Sequence, residues 1–178
     1  MQTIPALSLP VSYLTRKNLV RPIIVSPDVG GQLRALEFKD ALEAKGVTCE
    51  MATLVKIGQR KLAKRGHGQR KDFYMLGGMD WSNRDVIIVD DIIDTGTTLF
   101  NVVDQLKQAK SKRIFAVASH GVFSDNFRDR VEHSGLEECI VTNTIVTEDH
   151  NEKIVELSIA KLLADTINRV HNGKPLKI

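Results

Sequence analysis

Two aspartates stand side by side at Asp90 and Asp91, and a third, Asp94, opens the run Asp94-Thr95-Gly96-Thr97-Thr98. Adjacent carboxylates repel unless a cation or a set of hydroxyl donors shares them, so such a pair suits a diol or a metal ion. The run that follows joins one glycine to three threonines. Small hydroxyl-bearing loops of that composition present backbone N–H groups and side-chain donors to an anion. Residues 86–89 read VIIV, a continuous β-branched run suited to a strand buried on both faces of a parallel sheet. Beyond the loop, Leu99, Val102, Val103, Leu106 and Ala109 recur at helical spacing. Strand, acidic end, loop and helix start is the order in which a helix N-terminus meets a phosphate. A capping side chain would account for Thr95 or Thr97. It would not account for two consecutive acids at a strand end with a third acid and three threonines in one turn. The expectation is a loop facing phosphate and an acid pair facing hydroxyls or a cation.

The elements that must hold these residues follow along the chain. Ile23-Ile24-Val25 reads as a buried strand, and Ser26-Pro27-Asp28-Val29-Gly30-Gly31 as a tight loop. The next helix carries Ala35, Phe38, Ala41 and Leu42 on one face and stops at Gly46. Asp28 stands at a strand end where a metal or hydroxyl would be met, and Gly30 and Gly31 let backbone approach a ligand closely; a plain turn fits those residues equally well. Residues 47–55 read as a strand. The run from Lys56 to Lys71 holds Lys56, Arg60, Lys61, Lys64, Arg65, Arg70 and Lys71 among Gly58, Gly66 and Gly68. Such a run is first of all a solvated loop, and in an enzyme handling polyphosphates it is also a lid that supplies cations. Phe73 lies beyond the run, beside Tyr74, and no aromatics interleave with the cations, so a stacking platform for nucleic acid is missing.

Residues 113–119 form a further strand ending at His120, a histidine expected to be satisfied by backbone. A short helix is expected from Ser124 towards Gly135, with Ser124 and Asp125 at its cap, then strands at 139–141 and 154–157. Ile159, Leu162, Leu163, Ile167 and Val170 mark a last helix, stopped by Asn172-Gly173 and Pro175. Residues 1–21, with Pro5 and Pro10, show no sustained period and read as a strap or linker. The whole predicts an α/β fold: a three-layer arrangement of a mainly parallel sheet with helices on both faces, ligands lying at the carboxyl ends of its strands.

Composition narrows the field. At 178 residues the chain makes one domain, and its net charge of +3 is too small to argue for nucleic acid. No apolar run approaches a membrane span and the first residues lack a signal-peptide order, so a cytoplasmic location is expected. Cys49 and Cys139 sit in apolar surroundings far apart and read as buried reduced thiols.

SPDVGG, the basic loop, VIIVDDIIDTGTT, SHGVFSD, SGLEECIVTNTI and RVHNG occur in one order, and together they closely resemble the ribose-phosphate pyrophosphokinase (PRPP synthetase) family, within the type I phosphoribosyltransferase-like fold. The resemblance covers nearly the whole chain. It implies transfer of the β,γ-diphosphoryl group of Mg-ATP to the 1-hydroxyl of ribose 5-phosphate, giving 5-phosphoribosyl 1-diphosphate and AMP. By the same resemblance Asp94, Thr95, Gly96, Thr97 and Thr98 bind the 5-phosphate, and Asp90 and Asp91 the ribose hydroxyls. Asp28, Gly30 and Gly31 receive the diphosphate, with Asp28 a Mg2+ ligand. Lys56 is the catalytic lysine at the root of a closing loop, with Arg60 the nearest partner cation.

The chain departs from the family pattern in several places. Thr97 replaces the usual glycine of the phosphate loop, Gly58 replaces an arginine, and the stretch from Lys56 to Asp85 is longer than usual. The family enzyme has two similar domains in tandem, and this chain resembles the second. Residues 1–21 are therefore expected to be the linker from a missing N-terminal half, and 22–178 the phosphoribosyltransferase-like domain. The implied partners are ATP, ribose 5-phosphate, further copies in a homo-oligomer and a separate N-terminal half, with neither nucleic acid nor membrane. Two alternatives stand beside this: a catalytically inactive regulatory subunit associated with the synthetase, and a phosphoribosyltransferase acting on a base.

Overall fold

The computed structural model describes residues 6–56, 73–75, 78–146 and 151–175. Eight strands, β1 (Ile23–Ser26), β2 (Glu50–Lys56), β3 (Phe73–Met75), β4 (Asp85–Val89), β5 (Ile92–Ile93), β6 (Arg113–Gly121), β7 (Glu138–Thr142) and β8 (Ile154–Leu157), make one sheet. Its order is β3-β2-β1-β4-β6-β7-β8, with the two-residue β5 paired to the end of β6. Every strand pairing is parallel except β2 with β3. In register, Ile23, Ile24 and Val25 of β1 face Val86, Ile87 and Ile88 of β4, which are matched in turn by Ile114, Phe115 and Ala116 of β6.

Side chains alternate across the pleat, so the continuous apolar runs fill both faces of the sheet. Ile23, Val25, Val86, Ile88, Ile114 and Ala116 pack on one side, against Leu99, Val102, Val103 and Leu106 of α3 (Thr97–Gln108) and Phe127 and Val131 of α4 (Phe127–His133). Ile24, Ile87, Val89, Phe115 and Val117 pack on the other, against Ala35, Phe38 and Leu42 of α2 (Gln32–Glu43) and Val11 and Leu14 of α1 (Ser8–Leu14). Each fully buried Leu, Ile or Phe contributes on the order of 2 kcal/mol of transfer free energy, and it is this double core that fixes the strand ends.

Three features differ from the expectation. Residues 8–14, which show no helical period, form α1; seven residues give too few repeats to read, and Pro10 is tolerated because it lies in the first turn. β3 lies antiparallel beside β2 within a stretch that carries no strand signal. The last helix, α5 (Ala160–His171), forms as its periodicity predicts, yet Ile167 and Val170 on its apolar stripe are 67% and 64% exposed. No helix among the described residues is long and apolar enough to cross a membrane.

Candidate functional site

The strand order changes direction beside β1. The chain leaves β1 towards β2 on one side of it and returns as β4 on the other. α2, which follows β1, covers one face of the sheet, and α3, which follows β4, covers the other. The loops after β1 and β4 therefore diverge and leave a crevice between them, where ligands bind in open α/β sheets. Residues 27–31 form one wall and residues 90–98 the other. β2, the next strand, ends at Lys56, so its carboxyl end lies on the same edge of the sheet. The side chain of Lys56, Arg60 and the rest of 57–72 lie outside the described residues.

On the β4 wall the loop turns sharply into α3. Gly96 stands at the N-cap with φ +68°, a left-handed conformation open to glycine. A Cβ there would lie 2.6 Å from ring carbons of Phe100 and Phe127. Phe127 stacks on Phe123 at 4.5 Å between centroids and meets Phe100 at 5.2 Å, so an aromatic cluster supports the loop from beneath. Arg130 reaches over Phe100, 4.4 Å from its centroid, and donates to the carbonyl of Thr95 at 3.1 Å. The first turn of α3 holds no acid, and the Thr97 N–H makes only a long 3.5 Å bond to Thr95 Oγ1, which leaves the following N–H groups and the dipole to an anion. The hydroxyls of Thr95 and Thr97 lie 3.2 Å apart at that helix start. Asp94 accepts a short hydrogen bond from Ser124 Oγ. Ser124 thus holds the loop in place of capping the following helix, whose N-cap is Asn126.

Asp90 and Asp91 lie at the carboxyl end of β4, their side chains 37% and 58% exposed. Arg34 of α2 crosses the crevice to both, with Nη1 3.1 Å from Asp90 Oδ1 and Nη2 2.8 Å from Asp91 Oδ2. The backbone N–H of Asp91 also donates to Asp90 Oδ1, at 2.9 Å. Burial pushes the Asp90 carboxyl up to about 6, against the N–H bond from Asp91 and the charge of Arg34, and its acidic neighbour adds to the rise. Burial also pushes Asp91 up, but its hydrogen bond with Asp90, the Arg34 charge and backbone N–H groups outweigh it and leave it below the ordinary range. The two behave as one dyad that keeps a single negative charge into mildly acidic solution.

On the β1 wall Asp28 is exposed and its Oδ1 accepts the Gly31 N–H at 2.9 Å. Ser26 Oγ donates to the Asp28 carbonyl at 2.6 Å, and a Cβ on Gly31 would come within 2.8 Å of that hydroxyl. A side chain at 31 would therefore have to displace the Ser26 hydroxyl, while the backbone there, at φ −84°, is open to any residue. Mg2+ commonly takes one or two carboxylates and completes its octahedron with phosphate oxygens and water. Asp28, with one oxygen engaged in the turn, fits that single-carboxylate role. No group of three or more His, Cys, Asp or Glu among the described residues could enclose an ion without phosphate.

A cavity of about 360 Å3 adjoins Asp90, bounded by Leu7, Pro10 of α1, Leu162 of α5, Arg34, His120 and Thr144. His120 Nδ1 lies 2.7 Å from Thr144 Oγ1, so a side chain and not backbone satisfies it. Residues 94–98 do not line this cavity; Asp94 and Thr97 are exposed, and Thr95, Gly96 and Thr98 half-buried. Arg34, Ser124 and Arg130 escape a reading of the sequence. A signal existed for Arg34, since an arginine in the first turn of a helix opposes the dipole and calls for an acidic partner.

Comparison with known proteins places the chain. The model of the family described as the phosphoribosyl synthetase-associated domain matches residues 68–177. The ribose-phosphate pyrophosphokinase of Haemophilus ducreyi is 36% identical over 166 residues, covering 92% of this chain and 49% of that one. That of Wolinella succinogenes is 34% identical over 162 residues, covering 91% and 48%. The crystal structure of phosphoribosylpyrophosphate synthetase from Mycobacterium smegmatis superposes with a TM-score of 0.78 at 31% identity, over 94% of this chain and 51% of that one. The chain spans about half the length of the curated relatives it matches. With an α/β sheet of this order and matches of this extent, the chain belongs to the phosphoribosyl synthetase-associated domain family.

Proposed function

We propose that this chain is the sugar-phosphate-binding half of a ribose-phosphate diphosphokinase, with residues 22–178 as the phosphoribosyltransferase-like domain and 1–21 as a linker or strap whose helix α1 packs against it. The observation that carries the reading is the convergence at one crevice of an acid pair, an acid-free helix start behind a threonine loop, and a glycine loop bearing one carboxylate. Thr95, Gly96, Thr97 and Thr98 receive the 5-phosphate on N–H and hydroxyl donors, with Asp94 fixing the loop through Ser124. Asp90 and Asp91 accept hydrogen bonds from the ribose hydroxyls, which anchors the ring between its phosphate and C1. Gly30 and Gly31 receive the diphosphate, and Asp28 would hold Mg2+, which would neutralise charge on the transferring group. The 1-hydroxyl oxygen attacks the β-phosphorus of ATP, the bond from that phosphorus to the α,β-bridging oxygen breaks, AMP leaves, and the hydroxyl proton passes to solvent. Lys56 and Arg60 are the cations assigned to the charge that develops in this step. The sugar supplies the nucleophile, so the chain needs none of its own. A homo-oligomer and a separate N-terminal half complete the proposed assembly.

A second reading, a regulatory subunit without catalysis, draws on Thr97, whose side chain occupies a position the family gives to glycine. The test is AMP formation by the purified chain with Mg-ATP, with and without ribose 5-phosphate, beside calorimetry of the sugar phosphate. Sugar binding without AMP supports a sugar half that depends on a partner for ATP. Sugar-dependent AMP makes the chain a diphosphokinase by itself. Absence of sugar binding overturns the proposal in favour of the regulatory subunit.

A further inference from the structure

Arg34 is placed against the local electrostatics and yet is well ordered by its contacts. It is the third residue of α2, in the first turn, where the helix dipole disfavours a cation. Its side chain is 30% exposed and lies across the crevice. Nη1 would be 3.4 Å from a Cβ placed on Gly31, so the guanidinium rests against the glycine loop on one side while it pairs with β4 on the other. An arginine fork commonly grips both oxygens of one carboxylate. Here it takes one oxygen from each of two successive carboxylates, Asp90 Oδ1 and Asp91 Oδ2. The spacing of its two terminal nitrogens therefore sets the spacing of the two acids.

We propose that Arg34 is a positioning residue that makes the site selective for a vicinal diol. By bridging Asp90 and Asp91 it keeps both carboxylates side by side and directs the second oxygen of each to one of two neighbouring hydroxyls. The inference rests on the reading of the acid pair as a hydroxyl-binding pair. Without the guanidinium the carboxylates repel and part, and a sugar retains one good acceptor instead of two. Lysine would supply the charge as a point without the planar fork, so it would restore little of the preference.

Calorimetry of the 178-residue chain and of Arg34→Gln and Arg34→Lys, each titrated with ribose 5-phosphate and with 2-deoxyribose 5-phosphate, tests this. Circular dichroism verifies that each variant is folded. The expected result is a wild-type preference for ribose 5-phosphate of roughly tenfold or more, the size of one hydrogen bond to a charged group. In Arg34→Gln that preference should fall to about twofold or less, through loss of ribose 5-phosphate affinity alone, with a partial loss in Arg34→Lys. Equal losses for both sugars would reduce Arg34 to a structural role and overturn the inference. Tighter binding of ribose 5-phosphate by Arg34→Gln would also overturn it, by making Arg34 a competitor of the diol. If Arg34→Gln is unfolded, a folded Arg34→Lys with the full preference overturns it. A wild type that binds both sugars alike refutes the acid-pair assignment, and one that binds neither refutes the sugar-phosphate reading; either ends the inference at a stage the variants do not reach.

Discussion

Replacing Gly96 by alanine probes the loop at the point where fold and site share one residue. Two costs add. Holding a residue with a Cβ at φ +68° costs about 1–2 kcal/mol. The new Cβ would also stand 2.6 Å from ring carbons of Phe100 and Phe127, which lie in the stacked cluster and cannot swing aside as a flexible side chain would. Overpacking of that kind costs about 1–3 kcal/mol. The sum, about 2–5 kcal/mol, is a large share of the stability of an ordinary domain and should lower the thermal midpoint by roughly 4–20 °C. Urea unfolding of Gly96→Ala, Gly96→Asn and Gly96→Ala with Phe127→Leu separates the two parts. Asparagine tolerates the left-handed dihedrals but carries the same Cβ, so it should recover only the first part. The smaller side chain at 127 should recover some of the second, giving a coupling of about 0.5–3 kcal/mol in the double-mutant cycle. A Gly96→Ala loss below about 1 kcal/mol, or additive effects with Phe127→Leu, would refute the close-packed account of this turn.

The remaining expectations concern charge and burial. Asp94→Asn should weaken binding of ribose 5-phosphate at least several-fold by loosening the tie to Ser124, as calorimetry would read; unchanged affinity removes Asp94 from the loop's machinery. The Asp90 carboxyl is raised from 3.8 to about 6, so the folded state binds a proton that the unfolded state has lost in that window. Its contribution to stability is fullest below about pH 4 and declines as pH rises through about 6, and urea midpoints of Asp90→Asn should lack that component of the slope. Asp85 is fully buried and paired with Arg113 and the Val20 N–H; Asp85→Ala should cost about 3–5 kcal/mol, and a smaller loss when Arg113→Met is added. Burial pushes the thiols of Cys49 and Cys139 up to about 11 and about 12, so a thiol reagent should label both only on unfolding.

How far these features could be read in advance depends on the range of the interaction behind them. β4 and its acidic end were legible because a doubly buried parallel strand needs an unbroken apolar run, a local pattern. The threonine loop and the helix after it were legible because turn chemistry and helical period are local as well. Arg34 was not, because its meaning lies in contacts 56 and 57 positions away, set by the crossing of α2 over the sheet edge. Ser124 shows the same limit: as a residue ahead of a short helix it reads as a cap, and only the proximity of β5 and β6 makes it a partner of Asp94. For α5 the period gave the helix and not its surroundings, since amphipathicity says which face is apolar and not whether anything covers it.

β4 carries an acid at each end, and the contrast between them argues for which one meets a ligand. At the amino end Asp85 is buried and spends both oxygens inside the protein, Oδ1 on Arg113 Nε at 3.0 Å and Oδ2 on Arg113 Nη2 and the Val20 N–H. A carboxylate so enclosed has no exposed acceptor, and its removal is felt as lost stability. At the carboxyl end the charge is doubled and the compensation is halved: two carboxylates share one guanidinium, and both remain partly exposed at the mouth of a crevice. A fold selected for stability alone would gain by replacing one of those acids with a neutral residue. Keeping the pair is favourable where donors from outside the chain complete it, and under the proposed function the neighbouring helix start is where such a molecule would place its phosphate. On the proposed function, the spacing between the acid pair and that helix start selects the ligand, and inserting one residue between Asp94 and Thr95, outside β5 and α3, should abolish sugar-phosphate binding while leaving the unfolding free energy within about 1 kcal/mol of the parent, because loops tolerate insertion at small entropic cost. Retained binding in that insertion variant would mean that the two anchors do not act on one molecule.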